Sequence, residues 1–400
     1  MFSSKKLLLY LYYQQILQEE NMSFRDKLTL FERRMRDRRI PREALVPYNQ
    51  SSFHYLYSSG NNQALLNMTG LDHEKFSKLL MKFHHKWDNY TFDEKTMVIR
   101  QKQKSLNCVL GKPRQLDAIG GLGLVLTWYR TRGAVSRLLA LVFGQTSTPL
   151  YKWLKFGRCI LLSILIQDPE SKISKPTVEN VIEYSEAIHA RYDLLQNVWG
   201  ALDGLKNNNE ETTNGGTQNN FYNGWTHGHY VNCLFLFAVD GLICGSVFNA
   251  PGVYHDSAIA DYGMYELIDE VYVETGGKVV VDSAFKLLNL PSLIKSSQLD
   301  PQDPEGLLIN RQATSVRQLS EWGMRMIQCA FPRLKDSLQY KEEGDRKIIL
   351  RLMVHIYNFQ TYNVGHNIIL NSYMHKQSIY KSYYYQYADG ISPDANHLLV

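Results

Sequence analysis

The sequence predicts an α/β protein, with an all-helical N-terminal region followed by a mixed sheet flanked by helices. Three observations lead there. Residues 46–197 place apolar side chains at helical spacing. Residues 231–248, VNCLFLFAVDGLICGSVF, are two β-rich runs joined at Asp240-Gly241, a hairpin signal, and KVVVD (278–282) is a further strand. Around them, 256–272 and 315–330 return to the helical period, so strand and helix alternate.

Taken in order, residues 1–45 read as an N-terminal extension ending in FERRMRDRRIPRE, whose mixed signs suit an exposed helix better than a DNA arm. In LDHEKFSKLLMKFHHKW, Phe76, Leu79, Leu80 and Phe83 share a face, while the adjacent His84 and His85 diverge and make no metal pair. Residues 112–165 divide into three helices. Gly144 supplies the turn before the third, Thr146 or Ser147 its cap, and Pro149 lies in its first turn. That pattern resembles a helix-turn-helix, although plain bundles also contain helix–Gly–helix connections. A helix follows over 176–197, with Pro176 near its start. The second part then reads strand, hairpin, helix, strand (278–282), strand (GLLIN, 306–310) and helix (315–330), which Pro332 terminates. A long apolar helix at 345–363 and the tail YKSYYYQYADG close the chain, as core packing or as an assembly surface of a homo-oligomer. The implied divisions are 1–45, 46–197, 198–340 and 341–400.

Charge is distributed unevenly. Residues 1–200 hold 29 Lys/Arg against 18 Asp/Glu, or +11, whereas 201–400 hold 15 against 21, or −6. Within 101–165 ten residues are basic and only Asp117 is acidic. A basic block coinciding with helices points to nucleic acid. The candidate contacts are Lys112, Arg114, Arg130, Arg132, Arg137, Lys152, Lys155 and Arg158, of which Lys152, Lys155 and Arg158 recur every three residues. Five scattered cysteines lack metal-type spacing and fit a reducing compartment. The run Leu7–Tyr13 is too short for a signal segment, and no apolar run nears the ~20 residues of a membrane helix. A soluble intracellular protein is expected.

Chemistry concentrates in three acids. Asp203 closes the apolar run NVWGALDG, Asp282 closes GGKVVVDSAF, and Glu321 lies in the helix RQLSEWGMRMIQCAF. Acids at the ends of central strands sit where α/β sheets place ligands, and a helix after the last strand reaches the same edge. This is the ribonuclease-H-like arrangement. Converging carboxylates are hard ligands suited to Mg²⁺ or Mn²⁺, and two such ions serve phosphodiester cleavage. Each acid also has a bland reading: Asp203-Gly204 as a turn, Asp282-Ser283 as a cap, Glu321 as an exposed helical side chain. Asp240 is explained as a hairpin turn and Asp256 as a helix N-cap. His227 and His229 share a strand face and read as hydrogen-bonding scaffold.

The blocks WGALDG, YNGWTHGHYVN, FAVDGLICGSVFNAPGVYHDS, VVVDSAF, RQLSEWGMRMIQCAFPRLK and IILRLMVHIYNFQTYNVGHN, in this order over 198 to about 370, resemble the DDE transposases of the PIF/Harbinger superfamily. The resemblance implies catalytic, metal-holding acids at Asp203, Asp282 and Glu321, and places Asn223, Trp225, His227, Pro251, His255 and Asp256 in blocks framing the active site. It also implies a helix-turn-helix before the core, a nuclear location, and a separately encoded Myb-like DNA-binding partner. The expected activity is metal-dependent cleavage at transposon terminal inverted repeats and joining of the 3′-hydroxyl to target DNA. The alternatives are a host-recruited, transposase-derived nuclease and a non-enzymatic DNA-binding module. Two departures stand out: the Asn/Thr-rich stretch LKNNNEETTNGGTQNN after Asp203, and EWGMR as the third block.

Overall fold

The structure, a computed structural model, describes residues 40–102, 114–133, 135–211, 215–285, 290–295, 303–339, 343–364 and 367–374. The extension before residue 40, Lys112 and the tyrosine-rich tail lie outside them.

Helices α1 (Ser52–Ser58), α2 (Asn62–Thr69) and α3 (His73–Asn89) each begin at a side-chain cap. Ser51, Asn61 and Asp72 accept from the N–H three residues on, in His54, Ala64 and Lys75. Helix α3 buries Phe76, Leu79, Phe83 and Trp87, the stripe its period predicts. The all-helical expectation is corrected next, because β1 (Tyr90–Asp93) and β2 (Val98–Gln101) form an antiparallel hairpin. Asp93 Oδ1 builds its turn by accepting from the N–H groups of Lys95 and Thr96. Tyr90, Phe92 and Ile99 pack on the core.

The three helices expected over 112–165 are present as α4 (Ala118–Arg130), α5 (Val135–Phe143) and α6 (Ser147–Leu165). Gly144 takes φ +59° at the turn, and Thr146 stands at the N-cap position without a side-chain bond. Helix α6 is largely internal: Leu150, Leu154, Phe156, Ile160, Leu161 and Leu165 are buried. It packs between α4 and a later helix. Thr177 and Asn180 form a capping box for α7 (Val178–His189).

A mixed sheet follows. Strand β3 (Val198–Asn208) lies at its centre, antiparallel to β5 (Gly228–Ala238) and parallel to β7 (Lys278–Val281). Strand β6 (Ile243–Pro251) extends the β5 edge beside the short β4 (Tyr222–Asn223), which follows α8 (Gly215–Phe221). Strand β8 (Leu293–Lys295) pairs in parallel with β7. The order β6-β5-β3-β7-β8, flanked by helices, is a ribonuclease-H-like fold. The Asp240-Gly241 turn joins β5 to β6 as expected.

Three expectations change. GLLIN is helical, because Asp303 caps and Pro304 opens one helix, α11 (Pro304–Ala330), that absorbs the expected strand. The fifth strand is instead β8. The helix expected over 256–272 is broken into α9 (Asp256–Ala260) and α10 (Met264–Thr275) around Gly263, φ +93°.

Cross-strand register assigns the sheet faces. Phe235 and Phe237 sit opposite Asp203 and Ala201, and directly opposed residues share a face. Gly323 of α11 meets the Phe237 ring, so close that a Cβ would fall 2.4 Å from Cε1. The Asp203 face is therefore the α11 face. Helix α10 lies on the other, where Leu267 and Met264 approach Gly245, the partner of Leu236. Helix α12 (Glu343–Val364) joins the two parts of the chain. Its Asn358 side chain exchanges two 3.0 Å bonds with the Ile243 backbone of β6, and its Ile349 carbonyl accepts from Tyr129 of α4 at 2.8 Å. The last described helix, α13 (Ile368–Tyr373), is capped by Asn367.

Candidate active site

Parallel pairing of β3 and β7 aligns Leu202 with Val281, so Asp203 and Asp282 each occupy the next position along neighbouring strands. Strand β7 stops there while β3 continues, which opens the sheet edge beside Asp203. Asp203 Oδ1 accepts from the Gly204 N–H at 2.7 Å. Asp282 Oδ1 accepts from the N–H and hydroxyl of Ser283 at 2.6 and 3.2 Å. Glu321 comes from α11 and is exposed. One guanidinium connects the last two acids: Arg317 Nη1 lies 2.8 Å from Asp282 Oδ1, and Nη2 lies 3.1 Å from Glu321 Oε1, one helical turn away.

A fourth carboxylate lies near the β3 backbone. A Cβ on Gly204 would fall 2.6 Å from Asp256 Oδ2, so only glycine admits Asp256 against the β3 backbone. Side-chain alternation puts Asp256 on the side of β3 away from Asp203. Asp256 is the first residue of α9, and the cap position belongs to His255, whose side chain makes no cap bond. The sequence reading of Asp256 as a helix cap is thereby corrected. Burial pushes the Asp203 carboxyl up to about 6, against the Gly204 N–H; Asp256 raises it further, Arg317 lowers it, and Asp282 adds to the rise. Asp256 is also raised, by burial first, with Lys206 opposing and Asp282 adding.

Among the described residues, no group of three or more His, Cys, Asp or Glu side chains is gathered to hold a metal ion. The donor chemistry nevertheless suits one. Carboxylate oxygens are hard donors of the kind such ions take, and Arg317 places positive charge between Asp282 and Glu321.

The other predicted residues divide. His255 adjoins Asp256 and lowers its carboxyl. Asn223, Trp225 and His227 belong to the β4–β5 turn. From Phe235, opposite Asp203, to Gly228 is seven residues, about 23 Å of strand, so these three are not brought to the acids. Asn223 is buried and organises that turn, its Oδ1 accepting from the N–H groups of Trp225 and Thr226 and its Nδ2 donating to the Gly252 carbonyl. Trp225 is 89% exposed on the turn. His227, in the turn before β5 at φ +51°, meets the Tyr222 hydroxyl, and His229 sits 3.7 Å from Glu211, so the two do not share a strand face as the sequence suggested.

The basic set is corrected in part. Arg158 is 3% exposed, pairs with Asp345 at 3.0 Å and stacks over Trp128, so it does not share an outward face with Lys152. Arg114 lies against Trp87, Trp153 and Phe156 and donates to the Tyr90 carbonyl. Arg130 donates to the carbonyls of Asn67 and Ala330. Arg132 pairs with Asp336, and Arg137 and Lys152 are exposed. Lys155 lines a cavity of about 310 Å³, with Trp128, Arg158, Arg333, Asp345 and Arg346, that contains none of the site acids.

The ribonuclease-H-like sheet carries one carboxylate on its central strand and another at the end of the neighbouring parallel strand. Residues 202–358 match the family model described as DDE superfamily endonuclease, which supports a DDE-type endonuclease domain over this stretch. No curated protein and no solved structure matches the chain. Among the described residues no helix is long and apolar enough to cross a membrane.

Proposed function

We propose that this protein is a metal-dependent DNA endonuclease of the transposase type, akin to the PIF/Harbinger superfamily, which cuts at transposon ends and joins the 3′-hydroxyl to target DNA. One observation carries the reading: Asp203 and Asp282 occupy adjacent positions on parallel strands, and Arg317 ties Asp282 to Glu321. Asp203, Asp282 and Glu321 are the residues to hold Mg²⁺ or Mn²⁺, two ions in this chemistry. Such ions, when bound, activate the attacking oxygen and stabilise the leaving one. The protein's own part is to present carboxylates on rigid strands, with Asp203 on the α11 face and Asp256 fixed against Gly204.

DNA is the substrate, and the outward residues Arg137 and Lys152 are its candidate phosphate contacts in the helical region. A nuclear location and a Myb-like partner that recognises the ends belong to the same proposal. The test is Mg²⁺-dependent cleavage of terminal-inverted-repeat DNA by wild type and Asp282→Asn. Cleavage by the wild type alone supports the reading, and equal cutting by both ends it. Salt-sensitive DNA binding indifferent to Mg²⁺ and to Asp282→Asn, without cleavage, would point instead to a binding module. Cleavage without strand joining would point to a host-recruited nuclease.

A further inference from the structure

Arg317 touches two of the three acids that the proposed chemistry needs. Its side chain is 27% exposed, those of Asp282 and Glu321 are 36% and 47% exposed, and its Nε is buried without a partner. Two carboxylates facing one space repel each other unless a cation lies between them. A guanidinium fork can span both and hold them apart at a fixed separation. A divalent ion needs those same oxygens, and a guanidinium beside such an ion is repelled by it.

We infer that Arg317 and a divalent ion take the Asp282–Glu321 pair in turn: Arg317 holds the two carboxylates ready, leaves at least one of them when the ion enters, and then offers its fork to a phosphodiester oxygen of DNA. The inference rests on the metal-dependent reading above. Three features favour it. Arg317 and Glu321 are one turn apart on α11, so Arg317 can release Glu321 by a rotamer change without moving the helix. Asp282 Oδ1 already accepts from Ser283 twice, so the ion pair with Arg317 is a third contact on one oxygen. The guanidinium has donors to spare, Nε among them, and its planar fork matches two phosphate oxygens.

The experiment measures Mn²⁺ affinity by electron paramagnetic resonance of free Mn²⁺, for the full chain as wild type, Arg317→Gln, Arg317→Lys and Asp282→Asn. Each part-exposed ion pair is worth up to a factor of about five, so removing both should tighten Mn²⁺ binding by between about twofold and twenty-five-fold in Arg317→Gln. Arg317→Lys should fall between it and wild type, and Asp282→Asn should lose binding. Tightening is a readout that damaged folding does not produce. Equal or weaker binding in Arg317→Gln, with binding lost in Asp282→Asn, overturns the inference and leaves the metal reading standing. No Mn²⁺ binding by wild type and Arg317→Gln alike sinks both. The phosphate arm is read separately, by single-turnover DNA cleavage at saturating Mn²⁺. Arg317→Gln should cleave at least about tenfold more slowly despite its tighter metal, partly restored in Arg317→Lys. An unchanged cleavage rate overturns that arm.

Discussion

Replacing Asp203 with asparagine should stabilise the fold while removing the candidate site's central carboxylate. Burial and the nearby Asp256 and Asp282 outweigh the Gly204 N–H and Arg317, and hold the Asp203 carboxyl at about 6 against an ordinary 3.8. At about 1.4 kcal/mol per pH unit that interval amounts to about 3 kcal/mol, and residual solvent access trims it to about 1–3 kcal/mol. The sign follows from a folded pKa above the unfolded one. The folded state favours the protonated acid, a contribution fully present below about pH 3.8 and lost as pH rises through about 6. At pH 8 the wild type therefore carries a charged, part-buried carboxylate that the asparagine variant lacks. With an unfolding entropy of about 2 cal/mol/K per residue, the gain corresponds to a rise in Tm of about 1–4 °C. Calorimetry in EDTA at pH 4, 6 and 8 measures it. A variant no more stable than wild type at pH 8, or one whose advantage persists at pH 4, would refute the electrostatic reasoning. Adding Mg²⁺ should raise the wild-type Tm and leave that of Asp203→Asn nearly unchanged, since a ligand stabilises only the state that binds it.

Gly204→Ala puts a methyl 2.6 Å from Asp256 Oδ2 and should cost about 1–3 kcal/mol in thermal unfolding, largely recovered in the double variant with Asp256→Ala. Gly323→Ala, whose Cβ would press on Phe237, should cost a similar amount and lower cleavage by pushing α11 and its Glu321 off the sheet, with no recovery in extra Mg²⁺. Arg158→Ala leaves Asp345 unpaired and should cost about 3–5 kcal/mol in urea unfolding without altering the salt slope of DNA binding. Lys152→Ala should leave stability unchanged and reduce that slope by about one, and the reverse pattern would restore the sequence-based assignment of Arg158.

The sheet was legible because its strands carry β-branched runs and an Asp-Gly turn, and Asp282 because a strand-end acid is visible in a linear pattern; Asp203, expected at a strand end, lies instead in the middle of β3. GLLIN misled because its short apolar run looks like a strand, whereas the Asp303-Pro304 start signal commits it to α11. Asp256 was explained away by its position before a helical run, since its contact with Gly204 joins residues 52 positions apart (256 minus 204). The glycine after Asp203 was the available signal. Arg317 had one too, the Arg-to-Glu spacing of four in RQLSE, but that spacing is common on solvated helix faces and gives no hint of Asp282.

The uneven charge of the two halves has a second physical meaning that the linear count conceals. Arg158 pairs with Asp345, Arg132 with Asp336, and Lys175 with Glu270 and Glu274. Each pair takes its cation from the half with net charge +11 and its acid from the half with net charge −6. Part of the imbalance is thus complementarity between the helical region and the endonuclease part. Arg158–Asp345 is the deepest of these pairs, at 3% and 12% side-chain exposure, where salt screens little and loss of one partner is costly. The shallower pairs are worth little each and yield to salt. A basic count over 101–165 therefore overstates the charge offered to DNA, because Arg114, Arg130 and Arg158 hold the interior together. Of the cations on α5 and α6, Arg137 and Lys152 stay exposed. The helix expected to read DNA is instead largely internal, packed against α12 and α4.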